Sequence, residues 1–186
     1  MSFTSTHMKS FSLIALAVAS LMIVSCKEKN APEPDVEEEV ITTVFVTLSS
    51  GVIAESYEWE DIDGVGGNPP NRIDTIRVRT GATYEGRILV INRSVSPEVG
   101  ITPEIRELAD NHQFFFTVTN GVATVAATDA DSRSLPLGLI FSLIPGSVGE
   151  GTLTLALSHW ESATAKDGIT PSDETDISVT FPMIVE

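Results

Sequence analysis

From residue 40 onward, apolar and polar residues alternate with a period of two. The first run carries its apolar and β-branched side chains on one face: Val40, Thr42, Val44, Val46 and Leu48. Such alternation favours strands that are half-buried against a core. Eight further runs follow, at residues 51–60, 72–80, 82–92, 113–119, 122–128, 137–143, 151–159 and 175–185. The pair Asn120-Gly121 between two of them predicts a hairpin. About nine short strands predict a mainly all-β fold, an antiparallel, immunoglobulin-like β-sandwich.

One segment, residues 101–112, has helical spacing instead. Its apolar side consists of Ile101, Ile105, Leu108, Ala109 and His112. Thr102 is the expected cap, Pro103 suits the first helical position, and Glu104 suits the positive end of the helix dipole. The sequence therefore predicts one short amphipathic helix that crosses one end of the sandwich.

The N-terminal 25 residues have the features of a secretory signal peptide. A basic residue, Lys9, precedes an apolar run over residues 11–24, and Ser25 stands before the only cysteine, Cys26. A membrane-spanning helix needs about 20 apolar residues, and this run is shorter. Cleavage before Cys26 resembles bacterial lipoprotein maturation, in which the new N-terminal thiol receives acyl chains. Two or more chains hold a protein durably at a membrane. Either Met1 or Met8 fits as the start.

Residues 26–39 predict a tether, since they are acidic, contain two prolines and offer almost nothing to pack. Residues 40–186 then form the single predicted β-sandwich domain. The formal net charge of the chain is −15, which opposes binding to nucleic acid and favours cationic partners. With one cysteine, the domain has no internal disulfide and relies on its core, or on a bound divalent metal ion.

The two histidines after the signal peptide are the first candidates for chemistry. His112 ends the apolar side of the predicted helix, and His159 continues the apolar face of the strand that carries Leu155 and Leu157. Both should point inward, either as hydrogen-bonded core residues or as metal ligands. Two imidazoles with one or two carboxylates would bind a zinc-like ion.

Acidic residues in two loops are the candidates for the carboxylate ligands. Asp61 and Asp63 open a D-x-D-G string typical of calcium loops, although Arg72 stands where an EF-hand has its glutamate. Asp129 and Asp131 form the second pair. Because aspartate is also common in turns, both pairs have an ordinary structural alternative.

Four residues are candidates for ligand or partner contact: Trp59, Trp160, Asn92 and Glu104. Tryptophan is enriched at binding surfaces, whereas Asn92 and Glu104 also suit a turn and a solvated helix face. The motifs of serine hydrolases, zinc proteases and phosphate-binding loops are absent from the sequence. The sequence therefore does not predict an enzyme.

Five stretches carry a resemblance: EEEVITTV at residues 37–44, DIDGVGGN at 61–68, ITPEI at 101–105, HQFFF at 112–116 and TDISVTF at 175–181. Together they resemble a family of small envelope lipoproteins that accompany TonB-dependent outer-membrane receptors. Some members carry the label of a type 1 periplasmic binding fold. That fold needs alternating strands and helices in a longer chain, so the β pattern decides the expected fold.

The leading hypothesis is a lipid-anchored binding protein of the bacterial outer membrane, facing the periplasm or the cell surface. It would capture a ligand or a partner, such as a TonB-dependent receptor, and assist metal-ion or nutrient uptake. A structural or adhesive surface module is the alternative, and a hydrolase acting on a glycan or an ester is the third.

Overall fold

The period-two runs form two β-sheets in the computed structural model, which describes residues 40–64 and 66–186. Within these residues the first sheet contains β1 (Thr43–Ser50), β2 (Ile53–Glu60), β3 (Arg72–Ile73), β5 (Tyr84–Asn92), β6 (Val99–Gly100), β8 (Ala123–Ala127) and β9 (Ile140–Pro145). The second contains β4 (Ile76–Val78), β7 (His112–Val118), β10 (Gly149–His159) and β11 (Glu174–Val185). The mainly β, antiparallel fold is thus confirmed, while the immunoglobulin-like strand arrangement stays a prediction.

Strand order places long strands at the centre of each sheet. The first sheet runs β3-β2-β1-β5-β9-β8, with β6 also paired to β5, and the second runs β4-β11-β10-β7. Every pairing among the described strands is antiparallel except that of β4 with β11. The inward side chains of both sheets meet in one hydrophobic core. Phe116 of β7 and Phe141 of β9 span the two layers, with ring centroids 4.9 Å apart.

Two differences from the predicted strands concern sheet membership. The single run predicted at residues 72–80 divides after Ile73, because the chain leaves the first sheet there and joins the second at Ile76. The turn at Asn120-Gly121 forms, with φ values of 58° and 61°. It does not close a hairpin, however, because β7 pairs with β10 and β8 pairs with β9. The turn instead carries the chain from one sheet to the other.

The helix is shorter than predicted. It spans Thr102–Glu107 as α1, and a 3₁₀ turn follows at Ala109–Asn111. Thr102 is not the cap: its buried hydroxyl accepts a hydrogen bond from the Val90 amide at 2.7 Å and so joins the helix to β5. Leu108 is exposed. No helix in the described ranges has the length and apolar character needed to cross a membrane.

Backbone hydrogen bonds place α1, the start of β1 and the start of β7 at one end of the molecule. The Thr42 amide donates to Ile91 of β5, and the Ile101 amide donates to Val90 of the same strand. Trp160, just after β10, donates from its amide to Asn111, just before β7. The chain therefore enters the fold at the end where β7 begins and β10 finishes.

Candidate metal centre

Strand register brings the two predicted histidines face to face. His112 is the first residue of β7 and lies directly opposite His159, the last residue of β10. Directly opposed residues of an antiparallel pair have their Cβ atoms about 5 Å apart. The two imidazole rings accordingly stack, with centroids 4.6 Å apart and planes 18° from parallel.

The main chain of the helical segment fixes the orientation of His112. Its Nδ1 lies 3.0 Å from the carbonyl oxygen of Leu108. A carbonyl can only accept, so Nδ1 carries the proton and donates, which leaves the lone pair on Nε2. That Nε2 is buried and makes no hydrogen bond within the described residues. A ligating histidine is usually held in this way, by a hydrogen bond from its other ring nitrogen.

A β-bulge supplies a carboxylate that the sequence analysis missed. On β11, Ile177 lies opposite Leu157, but Thr175 lies opposite the next residue of β10, Ser158, so Asp176 is an extra residue on that strand. Strict alternation from Ile177 would turn Asp176 away from the core. A bulge re-aims side chains, and this one brings Asp176 to the histidine pair.

The three side chains form a compact group of donor atoms. Asp176 Oδ2 lies 3.6 Å from His112 Nε2, and Asp176 Oδ1 lies 3.7 Å from His159 Nδ1. One donor atom from each residue can be chosen so that all three lie within 4.8 Å of one another. The His112 side chain is 1% exposed, whereas that of His159 is 23% exposed. The group thus has a buried side and a side open to solvent.

Electrostatics keep His112 neutral. Burial lowers its pKa most, the Leu108 carbonyl opposes that effect, and the charges of His159 and Lys166 lower the pKa further. A neutral imidazole is the form that binds a metal ion, because the ion takes the lone pair that a proton would occupy.

The aspartates of the second predicted loop have other structural roles. Asp129 Oδ1 accepts a hydrogen bond from the Gly138 amide at 2.7 Å. Asp131 Oδ2 lies 2.9 Å from Lys166 Nζ, and both side chains are 0% exposed. Burial acts to raise the pKa of Asp131, but hydrogen bonds from Lys166, Leu135 and Arg133 outweigh it and lower the pKa. Both aspartates are therefore already engaged in contacts within the fold, and removal of Lys166 or Asp131 alone would leave a buried charge without its partner.

The group of side chains that could hold a metal ion in the described residues consists of His112, His159 and Asp176, and it includes neither Asp61 nor Asp63. Those two lie in the loop after β2, where they interact with each other. The structure therefore brings the two predicted histidines together and places Asp176 beside them, in the place of the four predicted aspartates.

The four residues predicted to contact a ligand or a partner have ordinary roles in the fold: two are buried, one caps a turn and one lies on an exposed helix face. Trp59 and Trp160 are 6% and 7% exposed, and Trp59 belongs to the core. Neither tryptophan therefore presents the surface that partner contact requires. Asn92 Oδ1 accepts hydrogen bonds from the amide and hydroxyl of Ser94 and so caps a turn. Glu104 is exposed in the first turn of α1, as a solvated helix face requires.

A cavity of about 350 Å³ lies at the opposite end of the molecule, near the start of β5. Its polar groups already contact one another. Tyr57 donates its hydroxyl to Glu55 at 2.8 Å, and Arg77 forms an ion pair with Glu186 at 3.1 Å. The histidine group, with a buried nitrogen that no described donor satisfies, is the better candidate for a binding site.

Comparison of the chain with models of protein families, with curated proteins and with solved structures finds no match. The resemblance to envelope lipoproteins beside TonB-dependent receptors stays a prediction. The signal peptide and the lipidation of Cys26 lie outside the described residues.

Proposed function

We propose that this protein is a lipid-anchored metal-binding protein of the bacterial cell envelope. It captures a divalent transition-metal ion with His112, His159 and Asp176. The observation that carries the proposal is the convergence of two imidazole nitrogens and a carboxylate within 4.8 Å. They come from three strands, and the Leu108 carbonyl already orients one of the imidazoles.

The donor set fits an ion of the zinc class. Zinc binds imidazole nitrogen at about 2.0–2.1 Å, so the donors of a tetrahedral site lie roughly 3.4 Å apart. Rotation of the partly exposed His159 and Asp176 would bring donor atoms that now lie within 4.8 Å of one another to roughly 3.4 Å. Three protein ligands leave the fourth position to water or to a ligand from a partner. The open side at His159 gives an ion a path in and out, as capture and release require.

The envelope part of the proposal rests on sequence alone. A lipid on Cys26 and the acidic tether over residues 26–39 would confine the domain to the membrane surface, and confinement raises its effective concentration at a neighbouring receptor. The net charge of −15 would draw cations toward the domain. Delivery of a metal ion to a TonB-dependent receptor is the role that joins these features.

Zinc titration of the mature chain tests the proposal. The chain would carry Cys26→Ser, lack a histidine tag and be freed of metal, and binding would be followed by calorimetry. We expect one zinc ion per chain, and an affinity at least about 100-fold lower for His159→Gln and for Asp176→Asn, because each removes a direct ligand. Asp173→Asn is the matched control, since Asp173 is an exposed aspartate near the start of the same strand. Equal affinity in all four proteins would refute the site.

A second candidate, the structural or adhesive module, is favoured by apolar residues exposed at strand ends far from the histidines. Val52 and Val148 are 104% and 71% exposed. If zinc binding fails, a surface that self-associates through these residues becomes the leading role. A Val52→Ser, Val148→Ser double variant that abolishes sedimentation of a dimer would support it.

A further inference from the structure

The loop that follows β2 contains a buried carboxylate with an unsatisfied oxygen. Asp61 is 4% exposed, and its amide donates to the Thr42 carbonyl at 2.8 Å, which fixes its backbone to the start of β1. Its Oδ1 is fully buried and receives no hydrogen bond from the described residues. A buried carboxylate oxygen normally has a donor, a proton or a cation beside it.

A second carboxylate contacts the first. Asp63 interacts directly with the side chain of Asp61. The Asp63 side chain is held in place because its Oδ2 accepts hydrogen bonds from the amide of Asn68 at 3.0 Å and from its side-chain nitrogen at 2.7 Å. The main chain closes around this carboxylate so tightly that a Cβ on Gly67 would lie 2.5 Å from Asp63 Oδ2.

The closeness of the two carboxylates affects the pKa of each. Burial, followed by the hydrogen bond with Asp63 and its charge, raises the pKa of Asp61, whereas the hydrogen bonds from Asn68 lower the pKa of Asp63. Two ionised groups in contact repel each other unless a proton or a cation lies between them. At neutral pH a divalent cation between them would satisfy both carboxylates at once.

We propose that the Asp61 and Asp63 carboxylates form a second cation site, for a hard divalent ion of the calcium class. The donors are all oxygen, which selects calcium over the softer ions that imidazole prefers. Calcium takes six to eight oxygen ligands, so loop carbonyls and water supply the remainder. Few charged ligands give weak binding, in the range of roughly 10⁻⁴–10⁻³ M that is typical of extracellular calcium modules.

The loop site is independent of the histidine group, since the two share no residue. Asp61 stands immediately after β2 in the first sheet, whereas His112, His159 and Asp176 lie on strands of the second. Calcium at the loop would tie residues 61–64 and 66–71 to the start of β1, through the Asp61 amide bond to Thr42. Its effect is therefore expected in the stability of the domain, whether or not zinc binds.

Calcium alone, added to the Cys26→Ser mature chain at pH 7.5, is the test. We expect the melting temperature to rise with calcium and to saturate with a dissociation constant below about 1 mM. Asp61→Asn and Asp63→Asn should each abolish the rise and leave zinc affinity unchanged. Asp173→Asn should keep the full calcium response.

Two results would overturn the proposal. One is a wild-type melting temperature that does not change with calcium, which would mean that the pair holds a shared proton only. The other is an undiminished response in Asp61→Asn, which would place calcium elsewhere. The pH dependence of the free energy of unfolding separates a shared proton from a cation. If Asp61 holds a proton, its raised pKa makes the free energy of unfolding fall as pH rises through that pKa. Asp61→Asn would remove this fall.

Discussion

At the residue scale, the neutral state of His112 makes the stability of the metal-free protein depend on pH. Its pKa in the folded chain lies below the ordinary value of about 6.5, first because of burial. The unfolded chain therefore binds a proton at pH values where the folded chain does not. The free energy of unfolding should consequently fall as pH drops through 6.5, and this contribution should be constant above it.

Replacing His112 by Gln tests that sign. In the presence of chelator, the slope of the unfolding free energy between pH 7 and pH 5 should be shallower in His112→Gln, by up to about 1.4 kcal/mol per pH unit. The groups that face His112 are His159 on β10, Asp176 on β11 and Lys166. Substitution of one of these groups would also alter the pH dependence of the unfolding free energy. Urea unfolding of His159→Gln is therefore measured for comparison with His112→Gln. An unchanged slope in His112→Gln would show that His112 titrates normally.

His112, His159 and Asp176 show how far the sequence could predict the site. Helical spacing predicted that His112 points inward, and period-two spacing predicted the same of His159. In the structure, both side chains lie at one end of the paired strands β7 and β10. Asp176 could not be found in this way. Its direction depends on a bulge between β10 and β11, and a bulge arises from tertiary pairing and not from the local alternation of residues.

At the scale of elements, the contact between β5 and β9 depends on one glycine. Gly86 lies opposite Phe141, and any Cβ at position 86 would collide with the phenylalanine ring. Phe141 is itself 0% exposed, so the ring has no free space to move into. We expect Gly86→Ala to lower the free energy of unfolding by about 1–3 kcal/mol through overpacking.

A double-mutant cycle measured by urea unfolding checks this prediction. Alanine at position 86 should cost at least about 1 kcal/mol less when Phe141 is replaced by Leu, since the collision is with the ring. Gly149→Ala is the control: it also lies in a strand, and its Cβ would meet Val122 at an ordinary 3.7 Å. Equal costs for Gly86→Ala in both backgrounds would contradict the assigned cause.

Element types were predictable, but their partners were not. The turn residues at Asn120-Gly121 correctly indicate positive φ, because that conformation is a local property of the two residues. Whether β7 and β8 then pair depends on strands far away in sequence, and both strands find other neighbours. The helix ended early for a related reason: His112 joins β7, and strand pairing overrides the helical spacing that continued to that residue.

At the scale of the whole molecule, the first described residues and the candidate metal centre lie toward the same end of the domain. Thr42 pairs with Ile91, and the helical segment that begins beside Val90 leads through Leu108 to His112. Residues 40–42 therefore lie at the end that holds the histidines. A tether over residues 26–39 would span at most roughly 50 Å, so under the proposed function the site would stay near the membrane surface.

Replacing Cys26 by Ser tests the anchor without altering the domain. In a bacterial host that processes lipoproteins, the wild-type protein should sediment with the membrane fraction, and mass spectrometry should find acyl chains on Cys26. Cys26→Ser removes the thiol that would carry the acyl chains, so this variant should lose them and move to the soluble fraction. Asp173→Asn, a surface change of similar size, should sediment like the wild type. Because the proposed ligands lie on β7, β10 and β11, zinc affinity should be equal with and without the lipid. Sedimentation of Cys26→Ser with membranes at the wild-type level would remove the lipid anchor from the proposed function and leave the metal centre to be judged by its own titration.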